Sequence, residues 1–152
     1  DTLQSVREAD SAAVATLREG FRADVIHVLL DASDPAVRVA ARGPEQANGG
    51  TFEKVEIWAP GGSHRTLYFD PGTRLLAGVE MHEPGDRDGG VASRRWFRDY
   101  RAVNGIRLPF AEDRWLGGQR VMQLKVTRYE LNSGVPEALF QRPEPPLPPP
   151  SR

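Results

Sequence analysis

The sequence predicts an α+β domain in which one N-terminal amphipathic helix packs on one face of a curved antiparallel β-meander of about seven strands, half-barrel-like in form. Three observations carry this expectation. Apolar residues recur at three-to-four spacing only between Ser11 and Leu30. From residue 36 to residue 131 the apolar pattern instead alternates in short runs broken by Gly, Pro and Asn. Asp70-Pro71-Gly72, Asn104-Gly105 and Gly117-Gly118 join successive runs so tightly that sequential runs must be antiparallel neighbours.

The helix is expected over residues 11–31, with Val14, Leu17, Phe21, Val25, Val28 and Leu29 on one stripe and Asp10 or Ser11 as cap. Gly20 costs about 1 kcal/mol relative to Ala and marks a place where the helix can break. Ser33, Asp34 and Pro35 end it. The first strand is read at Val37 to Ala41, followed by a polar loop from Gly43 to Gly50. Phe52 to Ala59 sends Val55, Ile57 and Ala59 to one face and Phe52, Lys54, Glu56 and Trp58 to the other.

After the turn at Pro60, Gly61 and Gly62 comes the hairpin from Arg65 to Met81, whose turn has a mechanism. Asp70 bonds back to the backbone, Pro71 presets φ and Gly72 accepts positive φ. In its second arm Leu75, Ala77, Val79 and Met81 are expected to share a face. Glu83 to Gly90 reads as the longest polar loop. Ala92 to Val103 is the next strand, with Arg94, Trp96, Arg98 and Tyr100 alternating with Arg95, Phe97, Asp99 and Arg101. Ile106, Leu108 and Phe110 follow the Asn104-Gly105 turn, and Pro109 requires an edge position or a bulge because it has no ladder donor. The last strand runs from Arg120 to Leu131. A terminal turn at 135–140 is expected to pin the sheet's end through Leu139 and Phe140. Residues 1–142 thus make a single domain, and residues 143–152 a Pro-rich tail or linker in polyproline II, with a PxxP spacing at Pro145 to Pro148.

Bulk numbers exclude several function classes. A chain of 152 residues suits one domain, and 20 Lys+Arg against 21 Asp+Glu leaves a net charge of −1, with no global field toward nucleic acid or an anionic membrane. The absence of Cys removes disulfides, thiolate zinc sites and cysteine nucleophiles. No apolar run approaches the roughly 20 residues of a transmembrane helix.

Leu67 to Leu76 (Leu-Tyr-Phe-Asp-Pro-Gly-Thr-Arg-Leu-Leu), Phe97 to Phe110 (Phe-Arg-Asp-Tyr-Arg-Ala-Val-Asn-Gly-Ile-Arg-Leu-Pro-Phe) and Val135 to Phe140 together resemble the C-terminal half of LolA/LolB-like envelope proteins, the outer-membrane lipoprotein-sorting type. The resemblance runs in order from about the helix to Phe140 and rests mostly on turn chemistry. It implies a half-barrel lidded by helices around a hydrophobic cavity, a periplasmic or cell-envelope location, and a hydrophobic small molecule or a lipoprotein's acyl chain as ligand. The first half of that fold has no counterpart here, so the resemblance does not imply a complete, closed cavity. Similar segments also resemble appendages behind insulinase-type peptidases. That second likeness implies an interaction domain beside an adjacent domain in a longer chain.

Enzyme chemistry finds little support. His27, His64 and His82 match no metal-ligand spacing, and GxSxG, Walker and GxGxxG patterns are absent, so no catalytic residue, metal ligand or cofactor is expected. His82 beside Glu80 and Glu83 is explained as well by exposed strand-end residues as by a metal site. Asp86 to Gly90 lacks the third carboxylate and distal Glu of a calcium loop and reads as a solvated turn. Arginines interleaved with aromatics at 94–100 suit single-stranded nucleic acid in principle, yet Arg stems cover strand aromatics routinely, and no nucleic-acid partner is expected.

A sheet of this size with one helix must close, pair with another layer, or leave part of an apolar face uncovered. The expected ligand-binding residues therefore lie between sheet and helix: Phe69, Leu75, Val79, Met81, Leu124 and Val126, with Phe21, Val25 and Leu29 opposite. An ordinary helix-on-sheet core with no vacancy is the alternative.

Overall fold

The computed structural model of the chain describes residues 9–22, 24–59, 64–82 and 93–141. The expected turn at 60–62, the polar loop at 83–90 with its calcium-like fragment, and the 143–152 tail with its PxxP spacing all lie outside the described residues.

Seven strands form one open antiparallel sheet in strict sequence order, not a closed barrel. They are β1 (Arg38–Ala47), β2 (Gly50–Trp58), β3 (His64–Phe69), β4 (Leu76–His82), β5 (Ser93–Val103), β6 (Ile106–Leu116) and β7 (Gln119–Lys125). Two helices, α1 (Ser11–Arg22) and α2 (Val25–Ala32), precede the sheet, and a short 3-10 turn, Glu137–Phe140, follows it.

The expected single helix over 11–31 is two. Its division lies past Gly20, where Asp24 leaves the helical region (φ −74°, ψ 159°) and its carboxylate accepts hydrogen bonds from the Ile26 and His27 amides. A carboxylate that caps a new N-terminus so well competes with continuing the old helix. Asp10 caps α1, accepting from the Ala13 amide at 2.8 Å.

The segment read as a polar loop, Gly43 to Gly50, is the second half of β1 and its hairpin turn. A bulge between Ala41 and Gly43 lets the strand pass through Gly43 and Pro44 while staying paired to β2. Asn48 and Gly49 make the turn with φ of 45° and 78°, both in the left-handed region that a two-residue I′ hairpin requires.

In the β3–β4 hairpin, Asp70 Oδ1 accepts from the Thr73 amide at 2.6 Å, as expected of that residue, but the positive φ belongs to Arg74 (62°) rather than Gly72. A register shift between Tyr68 and Phe69 then changes the phase of β4. Leu76, Val79 and Met81 turn toward the core in place of the expected set that began with Leu75 and Ala77. β7 ends at Lys125, so Pro109 of β6 has no ladder partner on that side; the Val126 amide donates to the Phe110 carbonyl at 2.9 Å and the Tyr129 hydroxyl to the Pro109 carbonyl at 2.7 Å instead. Residues 126–131 are not strand, although Tyr129 and Leu131 still pack against the core. Leu139 and Phe140 do not pin the sheet: they are 72% and 78% exposed.

The core lies on one face. Val25 and Val28 of α2 pack on Ile57, Leu67, Leu76, Val79, Phe97 and Leu108, which come from five successive strands. Arg65, only 2% exposed, ties α2 to this face by donating to Asp31 at 2.8 Å. Farther along, buried Arg95 lies 3.6 Å from Glu112, and burial lowers its pKa.

Candidate functional site

Register determines which side chains meet on the face away from α2, called here the open face. One rung runs Lys54, Tyr68, Gly78, Trp96, Asp113, Gln123 across β2 to β7, and the next runs Glu56, Thr66, Glu80, Arg94, Trp115, Arg120. Trp96 lies flat over Gly78, where any Cβ would come within 2.6 Å of the indole. This close approach brings Trp96 to 5.2 Å from the Tyr68 ring and 5.4 Å from Phe52.

The sheet is strongly coiled. The tip of the β1–β2 hairpin and the β6–β7 turn, at diagonally opposite corners, line the same hollow of about 380 Å³. Its floor is Tyr68, Glu80 and Trp96; its walls are Glu45, Arg94 and Trp115, with Asn48 and Gly118 at the two turns. A second hollow of about 440 Å³ opens where this face meets the β3–β4 turn, lined by Phe52, Leu75, Leu76, Ala77, Phe97 and Tyr100 together with Arg98 and Arg107. Asn48 and Trp96 belong to both.

The polar groups are paired in depth. Arg94 donates to both oxygens of Glu80 at 2.8 and 3.3 Å, and this raises the guanidinium's pKa. Lys54 donates to Glu45 Oε2 at 2.8 Å, Arg42 to Glu56 at 2.7 Å, and Arg98 to Asp113 Oδ2 at 2.5 Å. Tyr68 Oη is 3.3 Å from Glu80 Oε2 and 3.4 Å from Glu45 Oε1. Burial, then the adjacent Glu80 and Glu45, push the Tyr68 phenol well above the usual tyrosine range. Arg42 holds the Glu56 carboxyl below the usual carboxylate range.

The structure distributes the expected ligand-binding residues widely. Val25 and Val79 are buried in the core beside α2, with Phe69 and Met81 packed at its margin. Leu75 turns instead to the 440 Å³ hollow, Leu29 and Leu124 are exposed, Val126 is half-buried, and the side chain of Phe21 lies outside the described residues. Both hollows lie on or at the rim of the opposite face from α2. Glu45 and Asn48 fall in the segment expected as a polar loop, where the Asn48-Gly49 dipeptide is the signal for a hairpin; Trp115 on β6 carries no local signal of its place in the hollow. Among the described residues, no three His, Cys, Asp or Glu side chains converge as a metal site. No family model matches the chain, and neither a curated protein nor a solved structure matches it.

Proposed function

We propose that this chain is a non-enzymatic cell-envelope domain that binds a lipid-like or acyl ligand, as the lipoprotein-sorting proteins it resembles do. One observation carries the reading: a hollow of about 440 Å³, within the size range of small-molecule sites, has Phe52, Leu75, Ala77 and Tyr100 in its lining and arginines beside them. An acyl chain would lie against the apolar lining, and an acidic head group would meet Arg107 in the same lining. The ligand is thus proposed at the rim of the open face rather than between sheet and helix. Glu45 and Glu80 are each held by a cation, which favours binding over acid-base chemistry. Arg94 and Arg98 are likewise paired with carboxylates, which argues against a nucleic-acid partner.

The test is native mass spectrometry of the protein extracted from a bacterial envelope, together with a titration of a long-chain fatty acid against a displaceable apolar dye. Co-purified lipid and saturable displacement are expected, with displacement weakened by Leu75→Asp. Absence of both results refutes the reading.

A second reading has its own observation. Every residue of β7 is exposed, with Val121 at 60% and Met122 at 46%, on a sheet edge that no strand covers among the described residues. It makes the chain a supporting domain that docks a neighbour, for instance a peptidase, and requires no ligand.

A further inference from the structure

We infer that the 380 Å³ hollow under the β1–β2 hairpin tip binds a neutral polyhydroxylated ring, a single pyranose sugar, at a site separate from the proposed acyl site. Charge is the first reason. Glu80 is neutralised by Arg94 and Glu45 by Lys54. A charged ligand would have to displace one of these partners and leave it short of its counter-charge, whereas a neutral one leaves both pairs intact.

Hydrogen-bonding capacity is the second. The Tyr68 hydroxyl has one proton and two carboxylates within reach, both at long distance, so it serves only one at a time. Glu80 accepts from Arg94 besides, while among the described residues Oε1 of Glu45 has this shared contact alone and takes another donor readily. Arg94 commits Nε and one terminal nitrogen to Glu80, which leaves further N–H groups on a residue that, like Asn48, lines the hollow. Carboxylate, guanidinium and amide side by side suit a ligand whose neighbouring groups each donate and accept, as vicinal hydroxyls do.

The walls are the third. Trp96 and Trp115 line the same space, and since Trp96 lies on Gly78 and is 6% exposed, the half-buried Trp115 offers the larger ring surface. Ring C–H groups of a pyranose bear a small positive charge and lie favourably on the negative face of an aromatic ring. Its alternating C–H faces and hydroxyl edges thus match a hollow of alternating indole and polar walls. At about 380 Å³ the volume stands near the lower end for small-molecule sites and suits one ring better than a chain of them.

The test titrates the protein with free D-glucose, D-galactose, D-mannose and N-acetylglucosamine, read by saturation-transfer NMR and tryptophan emission. Saturable binding of at least one sugar is expected. It weakens about tenfold in Glu45→Gln and in Asn48→Gly, each of which impairs a hydrogen bond at the wall. Gly accepts the φ of 45° at position 48, so that hairpin is retained. The inference is overturned if no sugar binds saturably, if glycine or choline binds in preference, or if both variants bind as the parent does. Free sugars carry no acyl chain, so this result and that of the fatty-acid titration stand apart.

Discussion

The two faces of the sheet exclude water by different means. On the α2 side, aliphatic side chains from five strands meet Val25 and Val28, and burial comes from stacking one layer on another. On the open face no helix contributes to the cluster of Phe52, Tyr68 and Trp96, yet Tyr68 and Trp96 are 5% and 6% exposed. There the coiled sheet folds its own hairpin tip over its centre, and paired charges stand around the aromatic rings. A face closed by a second layer has its space filled by close packing, whereas one closed by curvature leaves concavities at the corners that meet. That difference is why both hollows lie where they do.

Three experiments sharpen the contrast. The largest effect is expected on the layered face, where Leu67 is 1% exposed: Leu67→Ala should cost about 3 kcal/mol in denaturant unfolding, because the neighbours cannot collapse into the gap. A cost near zero would mean that α2 does not pack as described. On the open face, Gly78→Ala puts a methyl group against the Trp96 ring and should cost about 2 kcal/mol, with a change in tryptophan emission that Leu67→Ala does not produce. If emission is unchanged, Trp96 does not lie on Gly78.

The third experiment is a titration upward from neutral pH, in which the tyrosines contribute no change in stability below about pH 10, the range where an unfolded tyrosine ionises. All three tyrosines of the chain, Tyr68 on the open face and Tyr100 and Tyr129 against the core, have pKa values raised chiefly by burial. A raised folded pKa favours the protonated fold, so this stability is complete below the unfolded pKa and is lost as pH rises through the folded one. Tyrosinate absorbance should therefore appear late and together with unfolding. A first tyrosine ionising at an ordinary pH in the folded protein, removed by Tyr68→Phe, would show that the open face is wet.

Much of the fold was legible because its signals are local. Alternation along β2 put Ile57 and Val55 opposite Lys54 and Glu56, and the Asn104-Gly105 turn set β5 against β6, as the structure has them. The misreadings also have local causes. Pro44 and polar Glu45 to Asn48 looked like loop because a bulge lets a strand carry residues that a regular strand rejects. Leu75 and Ala77 lost the core to Leu76 because an extra residue in β4 puts the positions before it out of phase with Val79 and Met81 after it. Leu139 and Phe140 are expected to pin the sheet's end because they are hydrophobic, but hydrophobicity does not specify a partner, and both are exposed.

Strand number, order and antiparallel sense follow from turn chemistry and period-two patterning, both properties of neighbours in the chain. The coil of the sheet does not, because it accumulates from twist and bulges over seven strands and no short segment encodes it. Glu45, Glu80 and Trp115 are far apart along the chain and come to one hollow only through that coil, so the site belongs to the folded molecule and not to any motif.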